Sequence, residues 1–304
     1  MTIASKAWRV LGLALLTAVT FAGTGAQVNF DSPDEAANAL IGAVENGDYA
    51  LFISIAGPQM APYWSGGDAA RDRMERDRFL DDAHRNGVRL DGRTGDRTFI
   101  RVGDGESFPA PLVKTNSRWH FDGDAGSAEL TTRRIRRNEV AALEQCQRFR
   151  EAEFAYFAAG YGANASFAQK IRSAPGQHDG LFWSEAGEED ESPLGPPFAD
   201  AAFAERRPGD GTRPLFGYYF KILVVQGPEA AGGPLDYRVN GRLRRGFALL
   251  AWPAEYGVDG VRSLLINHFG DIYEKDLGVD TGRLAETITA FNPDRSWRKF
   301  DGNE

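Results

Sequence analysis

Residues 217–275 contain four short apolar runs: GYYFKILVV (217–225), FALLAW (247–252), SLLIN (263–267) and DIYEK (271–275). Each run is rich in β-branched, aromatic or leucine residues, and Gly, Pro, Asn or Asp separates it from the next. Short runs of this composition, bounded by turn residues, are typical of antiparallel strands. The C-terminal part of the chain is therefore predicted to form an antiparallel sheet.

One long helix is predicted upstream of this sheet, from Ser127 to Gly160. Its apolar residues recur near one stripe, as expected for a helix with a buried face. These residues are Ile135, Val140, Leu143, Cys146, Phe149 and Phe157. Cys146 is the single cysteine of the chain, so it is either buried or available for pairing between chains. Its position in the apolar stripe favours burial.

The sequence before this helix has the pattern of helices followed by strands. Helices are predicted at 31–47, 49–55 and 68–86, and strands at 98–102, 111–114 and 118–122. Helices followed by a strand meander indicate an α+β fold. We therefore predict an α+β chain with one domain at 27–126 and a second, containing the long helix and the sheet, at 127–304.

Two segments also resemble known architectures. The pattern PLVK…RWHFD (111–122) is similar to the strand pair of cone-shaped, nuclear-transport-factor-2-like (NTF2-like) domains, which implies an NTF2-like fold for 27–126. The pattern FALLAWP…GVRSLLIN (247–267) is similar to the globular heads of type IV pilins and pseudopilins. This second resemblance implies a pilin-like head in the C-terminal sheet.

The first 26 residues have the pattern of a signal peptide. Lys6 and Arg9 precede an uncharged apolar run from Val10 to Phe21, and small residues follow. Cleavage sites are possible at Thr24-Gly25-Ala26 and at Thr20-Phe21-Ala22. We therefore expect an exported protein, periplasmic or extracellular. No later segment is apolar enough to predict a membrane span.

The charge of the chain argues against some partners. Removal of residues 1–26 leaves 33 basic and 43 acidic residues, a net charge of −10. Nucleic acids and anionic lipid surfaces would repel such a protein. The sequence therefore predicts no nucleic-acid partner, and an envelope protein is the expected partner.

Several segments resemble one family. They are SAPGQHDGLFW (173–183), SPLGP (192–196), GYYF (217–220), AWPAEYG (251–257) and YEKDLG (273–278). Together they resemble the bacterial exported proteins grouped as domain-of-unknown-function family 2950, over essentially the whole mature chain. This resemblance implies an envelope or secreted protein and implies no particular activity.

Known catalytic and metal-binding motifs do not occur in the sequence. His84, His120, His178 and His268 are far apart, without an H-E-x-x-H or C-x-x-C pattern, so no metal site is predicted. No P-loop, no G-x-G-x-x-G after a strand and no G-x-S-x-G is present, so neither a cofactor nor a catalytic serine is predicted.

The best candidate site combines polar and aromatic residues at strand ends and loops, where binding sites tend to lie. These residues are His178, Asp179, Trp183, Trp252, Glu255, Tyr256, Asn267, His268 and Asp271. In one interpretation, the loop around His178 covers the sheet and forms a cleft for a sugar or peptide. In the other, the aromatic residues are packing anchors and the polar residues stabilise turns.

Two functional hypotheses follow. The first is a non-catalytic module that interacts with, or assembles, components of the bacterial envelope. The alternative is a protein that binds a small sugar or peptide, or a hydrolase, with a loop-covered cleft on the C-terminal sheet. The sequence leaves the ligand, the partner and the oligomeric state open.

Overall fold

The structure is a computed structural model, and it describes residues 27–66, 69–162, 165–184, 191–202 and 213–302. The predicted signal peptide, residues 1–26, lies outside the described residues. Contacts divide the chain into two compact units, the first ending at Gly123 and the second beginning at Asp124. Each unit has its own sheet and is described by itself.

Helices precede strands in the first unit. The helices are α1 (Pro33–Glu45), α2 (Tyr49–Ala56), a 3-10 turn (Pro58–Met60), α3 (Ala61–Trp64) and α4 (Ala69–Asn86). The strands β1 (Val88–Thr94), β2 (Arg97–Val102), β3 (Leu112–Thr115) and β4 (Arg118–Phe121) form an antiparallel sheet in that order. The Ser32 side chain caps the N-terminus of α1 by accepting a hydrogen bond from the Glu35 amide, which is the usual role of a serine at the N-cap position.

The β3–β4 hairpin confirms the strand pair predicted around Trp119. Asn116 and Ser117 form its two-residue turn and both have positive φ, 50° and 69°. Leu112 and Phe121 are fully buried partners across the two strands. Phe121 in turn contacts the ring of Phe108 edge-on, with centroids 5.5 Å apart.

The second unit begins with a long helix and continues into a larger sheet. Its helices are α5 (Gly123–Ala159), α6 (Pro196–Asp200) and α7 (Thr281–Thr287). Its main strands are β5 (Tyr218–Leu223), β10 (Ala248–Pro253), β11 (Arg262–Asn267), β12 (Ile272–Asp276) and β13 (Arg298–Lys299). Two small hairpins pair β6 (Val225–Gln226) with β7 (Leu235–Asp236), and β8 (Arg238–Val239) with β9 (Arg242–Leu243).

The five main strands form one antiparallel sheet in the order β13-β12-β11-β10-β5. The four apolar runs of the sequence coincide to within one or two residues with β5, β10, β11 and β12, so that prediction is confirmed. β10 lies between β11 and β5, and all six of its residues are buried. A strand that is apolar on both faces needs cover on both sides.

Helices pack on both faces of this sheet. On one face, Phe220 of β5 stacks on Phe198 of α6, which stacks on Phe149 of α5. On the other face, Lys221 donates hydrogen bonds to the carbonyl oxygens of Ala285 and Glu286, at the end of α7. Successive strand residues point to opposite faces, so Phe220 and Lys221 fix which helix covers which side.

Helix α5 confirms the long helix predicted from the sequence, with two corrections to its buried stripe. Cys146 and Phe149 are fully buried, and burial raises the pKa of the Cys146 thiol to about 12. Val140 and Phe157, however, are 53% and 37% exposed. Tyr156, which is 3% exposed, takes the inward position that the sequence pattern assigned to Phe157.

The α+β fold class is confirmed: the described residues contain both helices and antiparallel sheets, and α5 links the two sheet regions along the chain. The NTF2-like and pilin-like resemblances stay predictions. Among the described residues, no helix combines the length and the apolar character needed to cross a membrane.

Candidate functional site

A closed loop that starts at Ser173 carries three of the predicted site residues. The Ser173 amide donates to the Phe182 carbonyl at 2.8 Å, and the Phe182 amide donates to the Ile171 carbonyl at 2.7 Å. The Gly180 amide donates to the Ser173 hydroxyl oxygen at 3.0 Å. These bonds join the two ends of the loop, so His178 and Asp179 are held at a fixed place.

Gly180 is required where the loop closes. A Cβ atom at this position would lie 2.8 Å from the carbonyl carbon of Arg172 and 2.8 Å from the amide nitrogen of Ser173. Those atoms belong to the backbone, so they cannot move aside as a flexible side chain would. Glycine therefore allows the two strands of the loop base to approach each other.

Asp179 is fixed inside the loop as a carboxylate. It accepts the Ala174 amide at 2.9 Å and forms an ion pair of 2.7 Å with Lys170. Burial alone would raise the pKa of Asp179, but the hydrogen bonds from Lys170 and Ala174 hold this pKa below its usual value. Asp179 is therefore ionised at neutral pH, and it neutralises Lys170.

Three rings form a cluster at this loop. The His178 ring lies 4.4 Å from the Trp183 ring, at 32° to it, and both rings contact Tyr161 edge-on at 5.2 and 4.9 Å. Trp183 is 6% exposed, whereas His178 is exposed and Tyr161 is half-buried. The cluster therefore anchors the loop through Trp183 and presents His178 and Tyr161 at the surface.

The last turns of α5 support the loop from below. The Tyr156 hydroxyl donates a hydrogen bond of 2.8 Å to the His178 carbonyl oxygen. Burial, with the charge of Asp179 nearby, raises the pKa of Tyr156 to about 12. The phenol therefore stays protonated and remains a donor.

Arg242, on the β8–β9 hairpin, also lies beside the loop that carries His178. The Phe167 amide donates to the Leu243 carbonyl at 2.8 Å, so the segment after α5 pairs with β9. This pairing places the Arg242 side chain beside the loop, close enough for its charge to act on the Tyr156 phenol.

These elements surround an open cavity of about 560 Å³. Tyr156 and His178 line it together with Tyr161, Gln169, Lys170, Gln177, Asp179 and Arg242. Amide, carboxylate, ammonium and guanidinium groups alternate there with aromatic rings. A cavity of this size, with aromatic walls and convergent polar groups, has the features of a small-molecule site.

Glu153 lies on α5 three residues before Tyr156, which lines this cavity. It is fully buried on α5, and its Oε2 accepts the Ala168 amide at 2.9 Å. Its Oε1 has no hydrogen-bond partner among the described residues. Burial raises the pKa of Glu153 well above its usual value despite the hydrogen bond from Ala168, so the protonated acid is the favoured form.

Trp252, Glu255 and Tyr256 are placed elsewhere. Trp252 is 1% exposed and lies on the sheet face that α7 covers, with its ring 6.1 Å from that of Tyr219. Glu255 and Tyr256 follow the end of β10, where the Glu255 carbonyl accepts the Asp259 amide and the Tyr256 hydroxyl donates to Asp276 at 3.1 Å.

Asn267, His268 and Asp271 form the β11–β12 turn. The Asn267 side-chain oxygen accepts the amides of Phe269 and Asp271, both at 3.0 Å. Asp271 pairs with Lys299 at 2.6 Å, and the hydrogen bond from Lys299 lowers the pKa of Asp271. Burial lowers the pKa of His268, which favours its neutral form.

The structure therefore brings together His178, Asp179 and Trp183, and it places the other six residues at two further sites. His268 is separated from the cavity by Phe247, whose ring contacts both His268 at 6.1 Å and Phe167 at 4.9 Å. Whether any of the nine residues binds a ligand stays a prediction. The sequence prediction missed Tyr156, Tyr161, Lys170 and Arg242, of which Tyr161 had a detectable signal because it follows the glycine that ends α5.

The fold and the cavity define the chain as an α+β protein with a polar, aromatic-lined cavity in its C-terminal unit. The model of the family described as "Protein of unknown function (DUF2950)" matches residues 27–300. The chain belongs to this family, which confirms the resemblance carried by the segments around His178 and Trp252. Comparisons with curated proteins and with solved structures gave no significant match.

Proposed function

We propose that this chain is an exported, non-catalytic binding protein of the bacterial envelope, and that it holds a carbohydrate in the cavity between Tyr161 and Arg242. The observation that carries the proposal is the cavity lining. Exposed ring surface at Tyr161 and His178 lies beside the side chains of Gln169, Gln177 and Arg242. Aromatic rings pack against the C–H faces of sugars, and amides and guanidinium groups bind their hydroxyls.

The backbone around the cavity favours a sugar over a peptide. Peptides commonly bind by adding a strand to a free sheet edge or by filling an apolar groove. Here the Phe167 amide already donates a hydrogen bond to the Leu243 carbonyl oxygen, and the Leu181 amide donates one to the Lys170 carbonyl oxygen. Side chains therefore supply most of the groups available for a ligand, which suits a molecule rich in hydroxyls.

The lowered pKa of Asp179 supports a protein that binds sugars without hydrolysing them. A glycosidase needs a carboxylic acid whose pKa is raised, near a second carboxylate. Among the described residues that line the cavity, Asp179 is the sole carboxylate, its pKa is lowered, and Lys170 holds it. Glu153 has a raised pKa, but it is fully buried and does not line the cavity.

A glycan array tests this function. The chain without residues 1–26 is applied to neutral and acidic oligosaccharides beside Tyr161→Ala and a matched control, Tyr273→Ala. Tyr273 is also a half-buried tyrosine of the second unit, but it lies on β12 and packs against Phe291. We expect a restricted set of sugars to bind both the unmodified chain and the control. Tyr161→Ala should not bind these sugars. Thermal unfolding of each variant confirms that it is folded.

Failure of every sugar to bind the folded chain would contradict the proposal. Equal binding by Tyr161→Ala and by the unmodified chain would also contradict it, because the binding would then occur outside the cavity.

The exported location is part of the proposal and is supported by the basic start and apolar run of residues 1–26. It is tested by fractionating cells that produce the full chain. The protein is expected in the periplasm or medium, shortened by about the length of a signal peptide. Recovery of the uncut chain in the cytoplasm would overturn it.

A second candidate function is assembly with an envelope protein, and a different observation favours it. Phe154, Phe157 and Phe269 are 40%, 37% and 73% exposed, and Phe154 and Phe157 both contact Phe167. Arg150 connects Phe269 to them, because its guanidinium lies 5.1 Å from the Phe154 ring and its Nε donates to the carbonyl oxygen of His268, which precedes Phe269. Exposed aromatic side chains in one patch are typical of protein contact sites. Cross-linking in the native envelope should capture one recurrent protein, and Phe269→Ser should weaken its capture. Unchanged capture would count against the patch.

A further inference from the structure

Arg242 is a cation with no acidic partner among the residues that the structure describes. Its side chain lines the cavity and is exposed, and it forms no ion pair with any residue in the described part of the chain. The other cation of the cavity, Lys170, is neutralised by Asp179. The described residues that line the cavity therefore carry one uncompensated positive charge, although the chain as a whole has a net charge of −8.

We infer that the ligand is an acidic saccharide, and that Arg242 binds its carboxylate. This inference rests on the proposed function and adds the chemical class of the sugar. The planar guanidinium group matches a carboxylate through two parallel hydrogen bonds, a geometry that a lysine cannot provide. The neighbouring Gln169 and Gln177 side chains supply donors and acceptors for the hydroxyls of the same sugar ring.

The number of free charges favours a carboxylate over a phosphate. A phosphate monoester carries nearly two negative charges at neutral pH and is commonly held by several cations. Lys170 forms an ion pair with Asp179. On β8, which pairs with the strand that carries Arg242, Arg238 forms an ion pair of 2.9 Å with Asp236. One free guanidinium group at the cavity matches the single charge of a carboxylate.

The surroundings of Arg242 strengthen its attraction for an anion. Arg244 and Arg245 follow it in the sequence, and both are exposed. Their amides donate to the Tyr237 carbonyl oxygen at 3.0 Å, so the backbone that carries this basic segment is fixed. Clustered charge of one sign raises the local concentration of oppositely charged ligands.

Matched sugar pairs test the inference. Array oligosaccharides containing uronic acid, muramic acid or sialic acid are compared by calorimetry with their methyl esters, which keep the ring and remove the charge. We expect the acid form to bind the unmodified chain at least about tenfold more tightly than its ester. Arg242→Gln should bind both forms with the affinity of the ester, and Arg242→Lys should recover part of the preference. Arg283→Gln, on the exposed side of α7, is the matched control and should behave as the unmodified chain.

The outcomes separate the inference from the function on which it rests. Equal affinity for acid and ester, with binding that still depends on Tyr161, would overturn the inference and leave carbohydrate binding in place. A preference for sulfated or phosphorylated sugars would overturn the carboxylate assignment. Absence of binding to every sugar would overturn both.

Discussion

The hydroxyl of Tyr156 donates a hydrogen bond of 2.8 Å to the backbone carbonyl oxygen of His178. This bond joins the end of a buried helix to an exposed loop 22 residues further along the chain. Because Tyr156 is 3% exposed and its helix packs on the sheet, it transmits the rigidity of the core to the loop. The candidate site is therefore fixed before any ligand binds.

Removal of this bond should weaken both the loop and ligand binding. Tyr156→Phe keeps the ring and loses the donor, so we expect the free energy of unfolding to fall by about 1 kcal/mol. Sugar affinity should fall as well, because His178 loses its support. Tyr218→Phe is the control, since Tyr218 donates an equivalent bond of 2.8 Å to the Arg262 carbonyl oxygen. Urea unfolding and calorimetry measure both effects, and equal loss of sugar affinity in the two variants would contradict a role for the loop.

Closure of the loop should depend on Gly180. Gly180→Ala places a Cβ atom 2.8 Å from backbone atoms of Arg172 and Ser173, so we expect a loss of about 1–3 kcal/mol and weaker binding. Gly282→Ala in α7 is the control, because its Cβ would meet no atom within 4 Å. That variant should be as stable as the original chain or slightly more stable, since alanine favours helix. Similar unfolding midpoints for both variants would be evidence against a close approach at Gly180.

Stability should depend on pH through Glu153. Burial raises its pKa well above 4.5, so the folded chain keeps a proton that the unfolded chain releases near that pH. The stability linked to this proton is complete below 4.5 and decreases as pH rises toward the folded-state pKa, by about 1.4 kcal/mol per pH unit. Glu153→Gln has no such proton and should lose this part of the pH dependence. Urea unfolding of both proteins over this window measures the difference, and parallel pH profiles would show that Glu153 does not titrate as described.

Trp252 should affect stability without affecting ligand binding. It is 1% exposed and lies on the sheet face covered by α7, whereas the cavity is built on α5. Trp252→Phe should therefore reduce the free energy of unfolding by about 1–3 kcal/mol and leave the dissociation constant for the sugar unchanged. A loss of sugar affinity in this variant, while it stays folded, would contradict the prediction and show that Trp252 contributes to binding.

The strands of the C-terminal sheet were predictable from local composition. The run FALLAW (247–252) becomes the interior strand β10, between β11 and β5, because it is apolar on both faces and both faces are covered. The Asn116-Ser117 hairpin was predictable for a similar reason, since two strand patterns flank a short polar turn. Such features depend on residues close together in the sequence.

The membership of the candidate site depended on information that local patterns lack. Trp252 was grouped with His178 by residue type, but the pairing of β10 with β5 turns its ring toward α7. Arg242 was missed because its place beside the loop results from the contact between Phe167 and Leu243, 76 residues apart in the sequence. Tyr156 was missed because one helical position, about 100°, separates it from the stripe assigned to Phe157.

The most direct test of the account is chemical-shift mapping of the folded chain with the acidic oligosaccharide that binds most strongly on the array. We predict that amide shifts will concentrate in residues 173–183 and around Tyr161 and Arg242. Residues 252–256 and 267–271 should shift little. Shifts concentrated in those two segments, with the loop around His178 unchanged, would contradict the assignment of the cavity as the binding site.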